Sequence, residues 1–130
     1  MTALLLDTHV AHWLSAEPDR LSQAASDAID AADELAVCSI TWYELGWLAH
    51  HGRLSVAIPV RTWLTELARD LRTIDISATI AETAVALPES FPGDPADRLI
   101  YATAIEHGLR LVSKDRRLRA HPHPRPLVVW

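Results

Sequence analysis

The sequence is poor in the residues that mark secreted, disordered and membrane-spanning chains. Its 130 residues include one cysteine, four glycines and eight prolines. The single Cys38 excludes an internal disulfide and lies in an apolar run, so we expect a buried free thiol. With about half of its residues apolar, the chain is expected to fold as one domain over residues 1–130.

Targeting and membrane signals are also missing. The N-terminus has no basic segment and reaches an acid at Asp7, which argues against a signal peptide. No apolar run approaches the roughly 18 residues that span a membrane. We therefore expect a soluble cytoplasmic protein that does not act at a membrane.

Positive charge is scarce overall but concentrated near the C-terminus. The net charge is −5, which argues against a protein that coats nucleic acid. From Arg98 onward, however, seven basic residues stand against two acids. Composition alone favours equally a solvated charged surface and a basic rim that suits a polyanionic substrate.

Short apolar runs alternate with longer helical segments. Strands are predicted at residues 3–7, 35–38, 72–76 and 109–113, with a fifth at 127–130 as a possible edge strand. Helices are predicted between them. Strands separated by helices form right-handed crossovers, so we expect a parallel sheet of four to five strands with helices on both faces.

Local signals place the ends of these helices. Helix starts are predicted at Ser22, Ser39, Pro59, Ser77 and Asp94, the last with Pro95 in the first turn. Helix ends are predicted at Gly52 and Gly108, and before Pro88. In the helix after Ser39, one apolar face is expected from Ile40, Tyr43, Trp47 and Leu48. Residues 121–126 alternate His and Pro and are expected to form an extended connector instead of a metal site.

Four carboxylates lie beside these apolar segments. Asp7 ends the first strand, Glu44 is in the second turn of the helix after the second strand, Asp97 is in the first turn of another helix, and Asp115 follows the fourth strand. In a parallel α/β sheet, strand C-terminal ends and helix N-terminal ends lie on the same edge, which also carries the ligand crevice. We therefore expect these four acids to converge.

Converging carboxylates require a counter-charge, because like charges a few ångströms apart raise one another's pKa. Clusters of oxygen ligands suit hard cations, so Mg²⁺ or Mn²⁺ is the expected partner and zinc is a poor fit. Such an ion can bind a phosphate oxygen and activate a water for attack on phosphorus, and a second ion could stabilise the leaving oxygen.

The same residues resemble successive motifs of the PIN-domain ribonucleases, and most closely the VapC toxins of bacterial type II toxin–antitoxin pairs. The matching segments, in order, are Leu-Leu-Leu-Asp7-Thr8-His9, Ser39-Ile-Thr-Trp-Tyr-Glu44-Leu, Asp94-Pro-Ala-Asp97-Arg98-Leu-Ile and Leu-Val-Ser-Lys-Asp115. The resemblance implies a PIN-like three-layer fold and a Mg²⁺- or Mn²⁺-dependent endoribonuclease. It also implies that a cognate antitoxin protein inhibits the enzyme. The chain would form a homodimer, as is common in the family, and a larger assembly with the antitoxin.

By matched position, the resemblance assigns catalytic and metal-binding roles to Asp7, Glu44, Asp97 and Asp115. Asp94 competes with Asp97 in the third motif but is interpreted as a helix cap. Thr8 matches the hydroxyl residue after the first acid, and we expect it to contact substrate.

The basic residues near these acids have more open roles. Arg98 either contacts a substrate phosphate or pairs with Glu44 or Asp94. Arg116 and Arg117 are expected to orient RNA. His9, His12 and the tryptophans Trp42, Trp47 and Trp63 are expected to be packing or surface residues.

Two other interpretations remain. A response-regulator receiver domain is also a parallel α/β domain with acids at a strand edge, and Lys114 would resemble its late lysine. Its phosphorylated Asp, however, ends the middle strand, where this chain has Asp75 before Ile76. A binding protein with an inactive acidic crevice is the other possibility.

Overall fold

The computed structural model of the chain describes residues 2–121 and 126–130, and the predicted His-Pro connector therefore lies mostly outside the described residues. In these ranges the strands are β1 (Ala3–Leu6), β2 (Glu34–Cys38), β3 (Arg72–Ile74), β4 (Arg110–Val112) and β5 (Val128–Val129). The helices are α1 (Thr8–Ala16), α2 (Gln23–Ala31), α3 (Ile40–His50), α4 (Val60–Asp70), α5 (Ala78–Ala86), α6 (Pro95–His107) and α7 (Arg116–Ala120). A short 3₁₀ turn, Pro18–Arg20, precedes α2. None of the described helices has the length and apolarity to cross a membrane.

The described strands form one parallel sheet in the order β3-β2-β1-β4-β5, which confirms the predicted α/β class. Leu5 of the central β1 is in register with Ala36 of β2 on one side and Leu111 of β4 on the other. Successive strands build outward from β1 to β3, and the chain then crosses back to β4. The point of reversal between β1 and β4 is where open α/β sheets bind ligands.

This order excludes the receiver-domain interpretation. A receiver has the strand order 2-1-3-4-5, in which the first and third strands are neighbours. Here β1 pairs with β2 and β4. Asp75, the residue in the phosphoacceptor position of that interpretation, follows β3 near the sheet edge and is exposed.

Helix ends follow the predicted capping chemistry in most places. The hydroxyls of Ser22 and Ser77 accept hydrogen bonds from the backbone N–H groups three residues later, at 3.1 Å in each case. Gly108 ends α6 in the left-handed conformation with φ 64°, where glycine has no Cβ penalty. Pro59 is the residue before α4 instead of lying in its first turn.

Ser39 differs from its prediction. It has helical backbone angles and makes no side-chain cap. Its hydroxyl instead accepts from the backbone N–H of Ile76 at 3.3 Å, because the chain leaving β3 passes beside the end of β2.

The core lies on both faces of the sheet. Leu5, Tyr101 and Leu111 belong to the cluster under α5 and α6, whereas Leu6, Val10 and Val112 belong to the cluster under α1 and α2. Cys38 is buried as a free thiol, as predicted. The predicted apolar residues of α3 share one face, since Ile40, Tyr43, Trp47 and Leu48 all line one groove. Tyr43 and Trp47 on this face are 70% and 42% exposed.

Arg98 ties the loop between α5 and α6 to the core. Its guanidinium donates five hydrogen bonds of 3.0–3.2 Å, all to backbone carbonyls, which belong to Ala84, Leu87, Pro88, Phe91 and Pro92. The positive charge also lies near the C-terminal end of α5, where the helix dipole favours it. The prediction that Arg98 contacts phosphate or pairs with an acid is therefore replaced by a structural role.

Replacing Arg98 with Met is expected to lower the free energy of unfolding by about 2–4 kcal/mol, because five carbonyls lose a charged donor at once. Urea unfolding followed by circular dichroism measures the change. The matched control is Arg116→Met on the exposed face of α7, which should change stability by less than about 0.5 kcal/mol. Equal effects of the two substitutions would contradict this role for Arg98.

Candidate active site

The sheet edge beyond the strand C-termini carries a cavity of about 520 Å³. Its lining includes all four predicted acids and Asp94, namely Asp7, Glu44, Asp94, Asp97 and Asp115. The sheet order explains this convergence, since Asp7 follows β1 and Asp115 follows the neighbouring β4, while Glu44 and Asp97 lie in early turns of α3 and α6. The structure thus brings together the residues that the sequence spacing grouped.

Asp7 is the most deeply enclosed of these acids. One carboxylate oxygen, Oδ1, accepts from the Thr8 backbone N–H at 2.9 Å, and Oδ2 accepts from the Ser113 hydroxyl at 2.7 Å. Burial raises the pKa of Asp7 above its usual range, and these two hydrogen bonds only partly oppose that effect. Removal from water therefore makes the ionised Asp7 costly until a cation approaches.

Ser113 is a site residue that the sequence analysis missed. It is fully buried at the end of β4, where its hydroxyl donates to Asp7 and accepts from the Asp115 backbone N–H at 3.1 Å. Ser113 thereby fixes the spacing of two acids on adjacent strands. The only sequence signal for Ser113 was a hydroxyl residue two positions before Asp115 at the end of a strand. Its contact with Asp7 follows from the pairing of β1 with β4, which the sequence does not specify.

Glu44 is held by the two threonines beneath it. The Thr8 hydroxyl makes a short hydrogen bond to Glu44 Oε1, and it lies 3.1 Å from the hydroxyl of the buried Thr41. Burial raises the pKa of Glu44, and the nearby Asp7 and Asp94 add to the shift. Thr8 is only 2% exposed, so the expected substrate contact is replaced by the positioning of Glu44.

Asp97 and Asp94 lie in the first turn of α6 and at its start. Asp94 caps the helix as predicted, because its Oδ1 accepts from the Ala96 N–H at 2.8 Å. Asp97 makes no such cap, and burial together with the charges of Asp7, Asp94 and Asp115 raises its pKa to about 7. Near neutral pH, Asp97 is therefore partly protonated, and its ionised form requires a nearby cation.

Asp115 has the opposite electrostatic environment because Arg117 neutralises it. The Arg117 guanidinium reaches Asp115 Oδ2 at 2.9 Å and Asp97 Oδ2 at 3.4 Å. The hydrogen bonds from Arg117 to the Asp115 carboxylate lower the pKa of Asp115. Asp115 also caps the short helix α7, which the sequence analysis did not predict, by accepting from the Arg117 backbone N–H at 2.8 Å.

The remaining predicted site residues lie in different places. Arg98 points into the α5–α6 loop, as described above, and Arg116 lines a separate groove on the other side of α7. Lys114 and the exposed His9, which were not predicted to contact substrate, line the acidic cavity. His12 is buried with its ring edge towards Trp63, consistent with the expected packing role.

The donor set of the cavity suits a hard divalent cation, although the side chains are not arranged around an ion. Among the described residues, no three His, Cys, Asp or Glu side chains form a ready metal cluster. Their oxygens are turned towards Thr8, Ser113 and Arg117. A carboxylate oxygen has two lone pairs, so Asp7 can accept its present hydrogen bond and still bind a cation. Arg117, whose side chain is 63% exposed, covers oxygens of Asp97 and Asp115, and its displacement would free them for a cation.

Comparisons with known proteins agree with this fold. The sequence profile of the PIN domain family matches residues 4–124. Ribonuclease VapC22 of Mycobacterium tuberculosis is 68% identical over 130 residues, which cover the whole of both chains. A toxin–antitoxin complex from Klebsiella pneumoniae contains a chain with 26% identity and a TM-score of 0.71, matched over 98% of this chain and 96% of that one.

A DNA-bound VapBC structure from Salmonella typhimurium has the same fold. Its TM-score is 0.72 at 18% identity, with 98% of this chain and 97% of that chain covered. The PIN-like arrangement of sheet and helices expected from the motifs is thereby confirmed.

Asp97→Asn is expected to stabilise the ion-free protein at alkaline pH. The folded protein raises the pKa of Asp97 from 3.8 to about 7, so ionisation disfavours the folded state progressively as pH rises from about 4 to 7 and fully above 7. Asn does not ionise. Urea unfolding in EDTA should show a gain of ~1–3 kcal/mol at pH 8 that disappears near pH 4.

The control for this experiment is Asp30→Asn on the exposed face of α2, which should give the same small change at both pH values. If the gain in the free energy of unfolding of Asp97→Asn did not depend on pH, ionisation of Asp97 would not destabilise the folded protein, and this prediction would be wrong.

Proposed function

The chain belongs to the PIN-domain family, and we propose that it is a divalent-metal-dependent endoribonuclease that acts as the toxin of a type II toxin–antitoxin pair. The observation that carries this proposal is the convergence of four acids from four separate segments on one cavity. The relative with 68% identity, which bears the name ribonuclease, supports RNA as the substrate.

In this proposal Asp7, Glu44 and Asp97 hold a Mg²⁺ or Mn²⁺ ion, and Asp115 supports it or a second ion. When bound, the ion neutralises the carboxylates, polarises a phosphate oxygen and lowers the pKa of an attacking water. Hydrolysis would form a bond from the water oxygen to phosphorus and break one P–O ester bond of the RNA chain, and the proton lost by the water would end on the leaving oxygen as a hydroxyl.

The surrounding residues have supporting roles. Thr8 and Ser113 hold Glu44 and Asp7 in place, because each donates a hydrogen bond to one carboxylate. Arg117 is exposed and already contacts two of the acids, so it is suited to exchange them for a substrate phosphate. The acids would then turn towards the cation while Arg117 orients the RNA.

The partner of this chain is proposed to be a cognate antitoxin protein, because the structural relatives include toxin–antitoxin complexes. Both RNA and such a partner are found in the cytoplasm, which is the proposed location. The homodimer implied by the family resemblance stays a prediction, and sedimentation equilibrium of the purified chain tests it.

Asp7→Asn is expected to lower RNA cleavage in Mg²⁺ at least ~100-fold, because the deepest carboxylate loses its charge. The assay follows cleavage of a fluorescently labelled RNA. Asp30→Asn, which changes an acid of the same type outside the cavity, should leave cleavage unchanged. Full activity in a folded Asp7→Asn protein would contradict the assigned metal site.

A parallel thermal-unfolding experiment distinguishes an enzyme from an inactive binding module. Mg²⁺ should raise the midpoint of the wild-type protein and leave that of Asp7→Asn nearly unchanged, since ligands that bind only the folded state stabilise it. Stabilisation by Mg²⁺ without any RNA cleavage would favour the inactive module.

Expression of this chain alone is expected to arrest bacterial growth, and co-expression of an antitoxin encoded beside it should restore growth. Colony counts after induction measure both effects. The Asp7→Asn variant serves as the non-toxic control. Arrest by Asp7→Asn as strong as that of the wild type would separate toxicity from the acidic site.

A further inference from the structure

One side of the acidic cavity continues into a basic and aromatic surface. Trp13 lines the cavity, and the Lys114 ammonium lies 5.9 Å from the centre of its ring. Trp13 also contacts the half-buried Trp130, with ring centres 6.0 Å apart. Trp130 in turn borders a groove of about 460 Å³ that Arg116 and Arg119 also line. A series of contacts therefore connects the acids to this second groove.

The cations of this surface are available to a ligand. Lys114, Arg116 and Arg119 are exposed, and within residues 2–121 and 126–130 none of them forms an ion pair with a carboxylate. Arg117 differs, since it is already paired with Asp97 and Asp115. Three cations without a carboxylate partner therefore lie within six consecutive residues of a chain whose net charge is −5.

The acidic cavity itself cannot attract a polyanion unaided. It is lined by five carboxylates against two permanent cations, Lys114 and Arg117. Binding of an RNA strand at these acids therefore requires cationic side chains outside the cavity, which can contact the phosphates on either side of the one that is cut. Single-stranded nucleic acid is typically bound by a basic groove combined with aromatic rings on which bases stack.

We propose that Lys114, Arg116, Arg119 and Trp130 form a binding track for single-stranded RNA next to the bond that is cut. The three cations contact flanking phosphates, and the Trp130 ring stacks against a base. The track deepens the proposed ribonuclease function and rests on it for the identity of the ligand. It adds Lys114, Arg119 and Trp130 to the substrate contacts expected from the sequence, and it gives Arg116 a place outside the acidic cavity.

Salt dependence separates this track from a merely charged surface. Each phosphate contact to a single strand contributes about −0.7 to the slope of log K against log salt concentration. Binding of a labelled oligouridylate is measured by fluorescence anisotropy in EDTA, so that no divalent ion is present and cleavage does not interfere. The double variant Arg116→Gln/Arg119→Gln should reduce the slope by about 1.4.

The matched control removes two arginines at the opposite side of the sheet. Arg61 and Arg69 lie on α4, which packs beside β3, whereas the track lies beside β5 at the other edge. Arg61→Gln/Arg69→Gln changes the net charge equally and should leave the slope unchanged. Trp130→Leu should weaken binding about tenfold without altering the slope, because stacking releases no counterions.

Cleavage of the same RNA in Mg²⁺, measured in parallel, distinguishes failure of the track from failure of the proposed function. Wild-type cleavage combined with an unchanged slope in the Arg116/Arg119 double variant would overturn the track and leave the ribonuclease in place. Binding with the predicted slope change, but without cleavage by the wild type, would support the track and overturn the enzyme. Absence of RNA binding by the wild-type protein in EDTA would overturn the track, and absence of cleavage in Mg²⁺ as well would overturn both.

Discussion

The enclosure of several carboxylates at one sheet edge, away from water, is the constraint on which the site depends. Burial and mutual repulsion raise the pKa of Asp7, Glu44 and Asp97, so these groups resist ionisation in the folded protein. The parallel sheet and its helices nevertheless fix the positions of these acids, because each acid lies at the end of a strand or near the start of a helix. A fold that holds several carboxylates where their ionisation is unfavourable has a site whose natural complement is a cation.

The surrounding residues offset the cost of enclosing these negative charges in three ways. Thr8 and Ser113 supply hydrogen-bond donors from the buried side, so the carboxylates of Glu44 and Asp7 keep a fixed orientation. Arg117 supplies a charge from the solvent side, which neutralises Asp115 and makes a longer contact with Asp97. The uncompensated cations of α7 and Lys114 lie beyond this shell. Charge therefore changes sign over a short distance, which suits a substrate that is itself a chain of anions.

The sequence predicted the fold and the acids well because both depend on local signals. Strands and caps follow from apolar runs and residues such as Ser22, Asp94 and Gly108, and the order of elements brings the acids to one edge. Side-chain destinations were less predictable. Arg98 satisfies carbonyls of a loop, Thr8 turns inward to Glu44, and Ser113 bridges two strands, all through contacts between residues distant in sequence. Tyr43 and Trp47 have helical periodicity but remain exposed, since periodicity does not reveal which face meets the core.

Proton release during Mg²⁺ binding tests the central claim most directly. Asp97, with its pKa of about 7, holds a proton at pH 6 that a bound cation must displace. Calorimetric titration of Mg²⁺ in two buffers with different ionisation enthalpies measures the number of protons released. The account predicts about one proton per ion at pH 6, falling towards zero by pH 8.5. Mg²⁺ binding with no proton release at pH 6, or no binding at either pH, would contradict it.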